Sequence, residues 1–328
     1  MTDEIMDVKE LLVKQKGALF KEYLDRYKKK EALNPISLKE LEESESKELK
    51  IKTGTVIDEI ISGGIPEGKS LLMYGAFRSG KTQTCLTMAV LCPNKVIYID
   101  PEKSLRIERL KQICEARHLN WESIRDKIIY YRPKSWIEQM LIIQSLPAPS
   151  DVDKVDLIIC DSISKLFRGI EFLGRETIQV KNGLIREFIL ALERIADLHQ
   201  AALVYTTQIY DKPVATLYAS LSDIQMPIGG RSVEHQPDFI LFFRKATGNV
   251  RIVEMMDSSY TALGERAFLI NEKGIDNVPD SAKVAKTLKE REEKFAAKQA
   301  QEKLEGKKPK KEDEEIPEDE EQPPEEES

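Results

Sequence analysis

The chain has 328 residues, of which 41% are hydrophobic and 33% charged, with a formal net charge of −7. This composition provides a core for one large domain or two small ones, and the lack of an 18-residue apolar run excludes a membrane-spanning helix. Residues 312–328 contain eleven Asp or Glu and no Lys or Arg, so the charge without them changes from −7 to +4. A mildly basic body suits a partner that carries phosphates, although many neutral domains reach the same charge.

The four cysteines lie in apolar stretches and lack the paired spacing of metal ligands. They are Cys85, Cys92, Cys114 and Cys160. We expect reduced, buried thiols in a reducing compartment. No signal peptide opens the sequence, which predicts a soluble intracellular protein without a membrane partner.

The first 48 residues are predicted to form a helical N-terminal arm. Residues 5–31 place apolar side chains near helical spacing among many lysines, which is typical of an amphipathic helix. Asn34-Pro35 ends this helix, and Ser37-Leu-Lys-Glu40 has the pattern of a capping box for a second, short helix. The arm either packs on its own domain or docks on a partner, and the sequence favours neither.

Residues 50–275 alternate short apolar strands with helical segments, which indicates an α/β fold with a mostly parallel sheet covered by helices. The predicted strands are Ser70–Tyr74, Lys95–Asp100, Leu157–Asp161, Ala202–Thr206 and Phe239–Arg244. Beyond residue 248, Asn249–Asp257 and Arg266–Asn271 are predicted as antiparallel strands at the sheet edge. We expect a solvated helix over 281–305, with Glu290 and Lys294 as an i, i+4 pair, and a disordered acidic tail over 306–328.

The segment Gly75-Ala-Phe-Arg-Ser-Gly-Lys-Thr82 fits the phosphate-loop pattern G-x-x-x-x-G-K-[ST], between a predicted strand and a predicted helix. Gly75 and Gly80 allow the backbone to approach phosphate oxygens, and the helix start directs free N–H groups at them. Lys81 would neutralise the β- and γ-phosphates, and the Thr82 hydroxyl would ligate Mg²⁺. The sequence therefore predicts a site for a nucleoside triphosphate with Mg²⁺.

Polar residues follow three other predicted strands. Glu102 and Asp161 come after two of them, and the carboxyl ends of parallel strands share one cleft. Asp161 is placed to hold Mg²⁺, and Glu102 to orient the attacking water, although an acid that closes a strand is often only a helix cap. Gln208 ends a fourth strand and either senses the γ-phosphate or is an ordinary exposed residue.

Two long segments, Arg168–Asn182 and Tyr210–Arg231, are predicted to be irregular and to leave the same side of the sheet. The first carries Arg168, Arg175 and Lys181. Basic loops at the mouth of a nucleotide cleft either bind nucleic-acid phosphates or form a plain solvated surface.

Taken in order, these motifs resemble the RecA superfamily, specifically the ATPase core of archaeal RadA and the eukaryotic strand-exchange recombinases and their paralogs. The resemblance covers about residues 50–278. Its motifs are Thr53-Gly54, Gly63-Gly-Ile65, Gly80-Lys-Thr-Gln83, Tyr98-Ile-Asp-Pro-Glu102, Arg106-Ile-Glu-Arg-Leu110, Ile159-Cys-Asp-Ser162, Gly174-Arg175, Thr206-Thr-Gln-Ile209, Pro227-Ile-Gly-Gly230 through His235, Phe243-Arg-Lys245, Asp257-Ser258, Phe268-Leu-Ile-Asn271 and Gly274-Ile275.

The resemblance implies ATP and Mg²⁺ as cofactors, Glu102 as the catalytic carboxylate, and Gln208 and His235 as relays between the γ-phosphate and the DNA-binding loops. It places Arg109 near the adenine and Asp257 in a segment that caps the ATP of a neighbouring protomer. The implied ATP-binding residues are Gly75, Ala76, Phe77, Arg78, Ser79, Gly80, Lys81, Thr82, Gln83, Arg109 and Asp257. The implied DNA-binding residues are Arg168, Arg175, Lys181, Gly229, Gly230 and Arg231.

The sequence also departs from the family pattern. Residues 1–48 contain only Gly17 and so lack the glycine-rich hairpins of a helix-hairpin-helix domain, and Pro35-Ile-Ser-Leu38 replaces the Phe-x-x-Ala peg that links protomers. Lys181-Asn182 replaces an Arg-Gln pair, Glu176 replaces a glycine, and Asp257-Ser-Ser259 lacks the usual proline. These changes spare the ATP site and favour a recombinase paralog.

The sequence therefore predicts four parts: residues 1–48, an ATPase core at 49–280, a helix at 281–305 and a tail at 306–328. The predicted function is a DNA-dependent ATPase that binds single-stranded DNA in homologous recombination and repair. It would act as a homo-oligomer, or as a hetero-oligomer with a RadA-type recombinase, in the cytoplasm of an archaeal-type cell or in a eukaryotic nucleus. The alternatives are an ATP-dependent interaction scaffold with little hydrolysis, the strand-exchange recombinase itself, and a KaiC-like signalling ATPase.

Overall fold

The computed structural model describes residues 37–45, 49–170, 176–211 and 225–291. The amphipathic segment at 5–31, Arg175, most of the second predicted loop, Lys294 and the acidic tail lie outside the described residues, and the interpretations attached to them stay predictions.

The described part begins with helix α1, Leu38–Glu45. The Ser37 amide donates to Glu40 Oε2 at 2.7 Å, and the Glu40 amide donates to Ser37 Oγ at 3.2 Å. These reciprocal bonds satisfy backbone donors that a helix start leaves unpaired, so the predicted capping box is confirmed. After it come strand β1 (Lys50–Ile51), helix α2 (Val56–Ile60) and strand β2 (Ile65–Pro66), and β1 pairs antiparallel with β2.

A nine-stranded sheet forms the centre of the fold, in the order β13-β12-β11-β10-β3-β7-β6-β4-β5. Its strands are β3 (Ser70–Gly75), β4 (Lys95–Ile99), β5 (Ile128–Tyr131), β6 (Val155–Cys160), β7 (Ala202–Thr207), β10 (Phe239–Lys245), β11 (Val250–Ser258), β12 (Glu265–Asn271) and β13 (Gly274–Asn277). Strands β10, β3, β7, β6, β4 and β5 pair in parallel, and β11, β12 and β13 add antiparallel. The predicted α/β class, with a parallel sheet and an antiparallel edge, is confirmed.

Helices cover both faces of the sheet. They are α3 (Lys81–Leu91), α4 (Ile107–Ala116), α5 (Trp121–Lys127), α6 (Trp136–Ser145) and α7 (Glu176–His199). Helices α2 to α5 share one hydrophobic core with the sheet, and α6 and α7 share the other. Every residue of β3, β6 and β7 is buried, as expected for central parallel strands with both faces covered. All four cysteines are buried free thiols, as predicted.

The first predicted loop is shorter than the sequence analysis proposes. A 3₁₀ turn spans Leu166–Gly169, and helix α7 already begins at Glu176, so Lys181 and Asn182 are helical rather than irregular. The prediction is wrong because the apolar spacing of α7 continues into this segment, where Val180 packs against the core one turn before the buried Leu184.

The second predicted loop contains a short hairpin of β8 (Ile209–Asp211) with β9 (Gln225–Pro227), followed by helix α8 (Arg231–His235). The hairpin brings the two described ends of this segment together beside the end of β7.

Residues 281–291 are helical and lie against the outer strands. Ala285 is fully buried with Ile252 of β11 and Ala267 of β12, and Lys289 Nζ lies 3.2 Å from Glu254 Oε1. The sequence predicted a solvated helix here, but Ala285, together with the partly buried Val284 and Leu288, provides a packing face against the outer strands. None of the helices in the described part of the chain is both long and apolar enough to span a bilayer.

Candidate nucleotide-binding site

Four parallel strands end at one edge of the sheet. Their register pairs Tyr74 with Thr207, Tyr205 with Cys160, and Cys160 with Ile99. The residues that follow these strands, among them Asp161 and Glu102, therefore lie around one cleft, as the sequence analysis expected.

The phosphate loop starts where β3 ends. Gly75 has φ 153°, and a Cβ on it would lie 2.1 Å from the carbonyl oxygen of Phe243, so only glycine fits there. Helix α3 begins at Lys81 and directs its unpaired N–H groups at the loop. The loop thus has the backbone geometry that binds a phosphate group.

Lys81 is only 9% exposed. Its Nζ donates to the carbonyl oxygens of Gly75 at 2.7 Å and Ala76 at 3.0 Å, which hold the ammonium group inside the loop. Burial lowers the pKa of Lys81, and the nearby carboxylates of Asp161 and Glu102 oppose this shift. A buried ammonium group at this position would stabilise phosphate charge strongly, because little water screens it.

Asp161 follows β6 and is 2% exposed. Burial raises its pKa, while hydrogen bonds from the Thr206 and Thr82 hydroxyls and the charge of Lys81 oppose the shift. Asp161 and Thr82 bring a carboxylate and a hydroxyl oxygen together beside the phosphate loop, and hard oxygen ligands are those that Mg²⁺ prefers. The donor chemistry therefore fits the predicted metal.

Glu102 lies in the turn after β4, with 22% of its side chain exposed. Its Oε1 accepts from the Ser162 hydroxyl at 2.8 Å and from Gln208 Nε2 at 3.2 Å. Arg168 Nη2 lies 3.9 Å from the same oxygen, and Arg168 Nη1 donates to Gln208 Oε1 at 2.7 Å. The sequence left the role of Gln208 open. In the structure, Gln208 links Glu102 to Arg168 in the first predicted basic loop.

Asp100 and Ser162 belong to motifs that the sequence shows, but neither was predicted to have a role. Asp100 is fully buried at the end of β4 and accepts hydrogen bonds from Ser104, Leu105 and Tyr130. The sequence does contain a signal for the role of Asp100. An acid directly after a buried strand and before Pro101 is itself buried, and its carboxylate needs hydrogen-bond donors from the turn that follows. Ser162 gave no separate signal, because its partner Glu102 is 60 residues distant in the chain.

The Rad51 family model matches residues 44–278 of the chain, which is more than half of its length. The chain belongs to the Rad51 family. The observed sheet is accordingly the RecA-like fold that the motif order implied.

Individual relatives agree with this assignment. The chain is 31% identical over 243 residues to the DNA repair and recombination protein RadA of Cenarchaeum symbiosum (strain A), covering 71% of this chain and 60% of that protein. It is 32% identical over 237 residues to the DNA repair protein RAD51 of Mycosarcoma maydis, covering 69% of both chains. It is 31% identical over 236 residues to RadA of Aeropyrum pernix, covering 69% of this chain and 72% of the relative. The match thus spans less than two thirds of the Cenarchaeum protein.

Arg109 contacts the first turn of α3, next to the phosphate loop. The resemblance places it near the adenine, and this role stays a prediction. Arg109 Nε donates to Gln83 Oε1 at 2.8 Å, and its Nη2 donates to the Asn271 carbonyl at 2.5 Å. These bonds hold the guanidinium group between the start of α3 and the turn after β12.

Asp257 does not share the cleft with Lys81. It lies near the end of β11, whose other end meets the phosphate loop through a bond from Arg251 Nε to the Arg78 carbonyl at 3.1 Å. Six residues of strand separate Arg251 from Asp257, which is roughly 20 Å. Asp257 pairs with Ile240 of β10, which pairs with Leu72 of β3, so it lies level with the middle of β3 rather than with the phosphate loop. Its role over the ATP of a neighbouring protomer stays a prediction.

Of the residues predicted for DNA contact, those in the described part of the chain lie on the side of the sheet where Gln208 follows β7. The Ile228 amide donates to the Gln208 carbonyl at 2.8 Å, and this places Gly229 and Gly230 beside the end of β7. Lys181 Nζ donates to the Arg168 carbonyl at 3.3 Å. Arg231 begins the short helix α8, the exposed His235 ends it, and Arg175 lies outside the described residues.

Proposed function

We propose that the protein binds and hydrolyses ATP with Mg²⁺, and that it binds single-stranded DNA in recombination and repair. The observation that supports this most is the convergence of four groups at one sheet edge: the phosphate-loop ammonium of Lys81, the oxygen pair of Thr82 and Asp161, and the carboxylate of Glu102. Phosphoryl transfer requires positive charge, a metal and an oriented water, and these residues match those needs.

The burial and the contacts of these residues indicate a separate role for each of them in ATP hydrolysis. Lys81 and the amides of the loop would hold the β- and γ-phosphates, and Thr82 and Asp161 would hold Mg²⁺, which neutralises charge that develops on the transferred phosphoryl group. Ser162 and Gln208 both contact Oε1 of Glu102. We expect Oε2 of Glu102 to orient the water for in-line attack.

The nucleic-acid part of the proposal is supported by the position of Arg168. This side chain is 39% exposed and contacts both Gln208 and Glu102, so an anion bound there would lie next to the catalytic carboxylate. Two relatives are named as DNA repair and recombination proteins and a third as a DNA repair protein. We propose that this chain acts in the same process, as a paralog that assembles with itself or with a RadA-type recombinase.

Steady-state ATP hydrolysis and ATP binding, each with and without single-stranded DNA, test the proposal. Lys81→Ala should lower turnover by about 100-fold or more and weaken binding, since one charge-stabilising group contributes a factor of about 10²–10³. Glu102→Gln should lower turnover by about 100-fold while ATP still binds. Lys95→Ala, which removes a surface lysine paired with Asp153 at 3.5 Å, is the matched control.

Wild-type turnover in the Lys81→Ala variant would refute the ATPase assignment. Tight ATP binding by the wild type without turnover would instead favour the interaction scaffold. If DNA neither binds nor changes the rate, the nucleic-acid half of the proposal is wrong.

A further inference from the structure

A buried carboxylate without a role in the proposed mechanism lies at the end of β4. Asp100 has no exposed surface. Its Oδ1 accepts from the Ser104 amide at 3.0 Å and the Ser104 hydroxyl at 3.3 Å, and its Oδ2 accepts from the Leu105 amide at 3.0 Å and the Tyr130 hydroxyl at 2.9 Å. Four donors compensate the carboxylate for the water that it loses, so Asp100 fixes the groups around it.

Glu102 lies inside the segment that Asp100 closes. The Lys103 amide donates to the Asp100 carbonyl at 3.4 Å, and Pro101 between them is buried. The next two amides, of Ser104 and Leu105, donate to the Asp100 carboxylate. Three consecutive backbone amides, at residues 103–105, are therefore bonded to Asp100. The backbone that carries Glu102 is therefore held on its C-terminal side by three bonds to one residue.

The same cluster reaches the predicted magnesium ligand. The Ser104 hydroxyl lies 3.4 Å from Oδ2 of Asp161 and 3.3 Å from Oδ1 of Asp100, so it connects the ends of β4 and β6. The Tyr130 hydroxyl reaches Asp100 from the edge strand β5. Burial and the hydrogen bond to Asp100 raise the pKa of Tyr130 to about 12, so the hydroxyl keeps its proton and donates at neutral pH.

We propose that Asp100, Tyr130 and Ser104 are positioning residues that set the place of the Glu102 carboxylate relative to Asp161. They act through these two acids rather than on the nucleotide. The inference rests on the proposed ATP hydrolysis, and it predicts that disturbing the cluster lowers the rate of the chemical step without weakening ATP binding, because the phosphate loop remains intact.

Tyr130→Phe tests this with a close control on the same strand. It removes one hydroxyl from Asp100, whereas Tyr131→Phe removes a hydroxyl that donates to the Ser145 carbonyl at 2.9 Å. We expect Tyr130→Phe and Ser104→Ala each to lower kcat about tenfold with an unchanged KM for ATP, and Tyr131→Phe to keep the wild-type kcat. Thermal melts of all variants establish that each is folded at the assay temperature.

A role limited to fold stability would change the melting temperature without separating kcat from KM. An unchanged kcat in Tyr130→Phe, or equal losses in Tyr130→Phe and Tyr131→Phe, would overturn the proposal.

Hydrogen exchange provides a readout that does not need turnover. The Ser104 and Leu105 amides should exchange at least several-fold faster in Asp100→Asn and in Tyr130→Phe than in the wild type or in Tyr131→Phe. If the wild type does not hydrolyse ATP, the proposed function fails on its own, and the positioning role is decided by exchange. Wild-type protection in both Asp100→Asn and Tyr130→Phe would reject it.

Discussion

Two carboxylates of the cleft differ in burial, and the difference separates their roles. Asp161 is 2% exposed and bonded to two threonine hydroxyls, whereas 22% of the Glu102 side chain is exposed. A buried carboxylate beside a hydroxyl is suited to a dehydrated cation, and a partly exposed carboxylate is suited to a water that must enter and leave. This difference in burial supports the two roles that strand position predicted, with Asp161 as a magnesium ligand and Glu102 as the residue that orients the water.

Burial of the Asp161 charge leads to a prediction about stability. Because burial raises the pKa of Asp161, the folded state binds a proton more tightly than the unfolded state does. Asp161 therefore destabilises the protein at neutral pH, and this cost disappears as the pH falls below the pKa of the unfolded state. Asp161→Asn removes the charge, so its melting temperature should exceed that of the wild type by a few degrees at pH 7, with a smaller difference at pH 4.

Thermal melts across pH, with and without Mg²⁺ and ATP, measure both the stability that the Asp161 charge costs and the stability that ligand binding adds. The wild type should gain stability from Mg²⁺ with ATP, and Asp161→Asn should lose most of that gain together with turnover. Lower stability of Asp161→Asn at neutral pH would show that the carboxylate contributes more through its hydrogen bonds than it loses through burial.

Several elements predicted from local sequence are confirmed by the structure. The strand before the phosphate loop, the loop itself and the capping box at Ser37 each depend on residues within a few positions of one another. The contact of Asp100 with Tyr130 joins residues 30 positions apart, and that of Glu102 with Gln208 joins residues 106 positions apart. Such pairs arise from sheet order, which the sequence pattern does not specify, so they could not be predicted.

At the element scale, Arg168 couples the 3₁₀ turn Leu166–Gly169 to Glu102 in the turn after β4. If single-stranded DNA binds Arg168, then Glu102 competes with the DNA for the guanidinium group. Glu102→Gln should tighten binding of an oligonucleotide in the absence of ATP by a factor of about two to five, which corresponds to the roughly 0.5–1 kcal/mol of a partly exposed ion pair.

A double-mutant cycle makes this prediction specific. In an Arg168→Ala background, Glu102→Gln should leave the affinity for the oligonucleotide unchanged, because the competing pair no longer exists. Glu108→Gln removes an equal charge from an exposed position of α4 and serves as the control. An equal gain from Glu108→Gln would assign the effect to net charge alone.

At the scale of the whole molecule, charge is divided between two parts of the chain. Residues 312–328 carry eleven acids, and without them the formal charge of −7 becomes +4. The basic residues near Gln208 belong to the positive part. A polyanion approaching this surface therefore meets repulsion from the acidic segment wherever the segment lies within a screening length, which is about 30 Å at 0.01 M salt and about 10 Å at 0.1 M.

Deletion of residues 312–328 should tighten binding of single-stranded DNA at low salt, and the gain should shrink as the salt concentration rises. Fluorescence anisotropy of a labelled oligonucleotide over a salt series measures both effects. A full-length variant with the eleven acids changed to Asn or Gln separates charge from length, and it should behave like the deletion. An affinity at low salt that neither variant changes would mean that the acidic segment does not act on the proposed DNA-binding surface. A gain from the deletion alone would assign the effect to steric blocking, because the neutral segment still occupies the same volume.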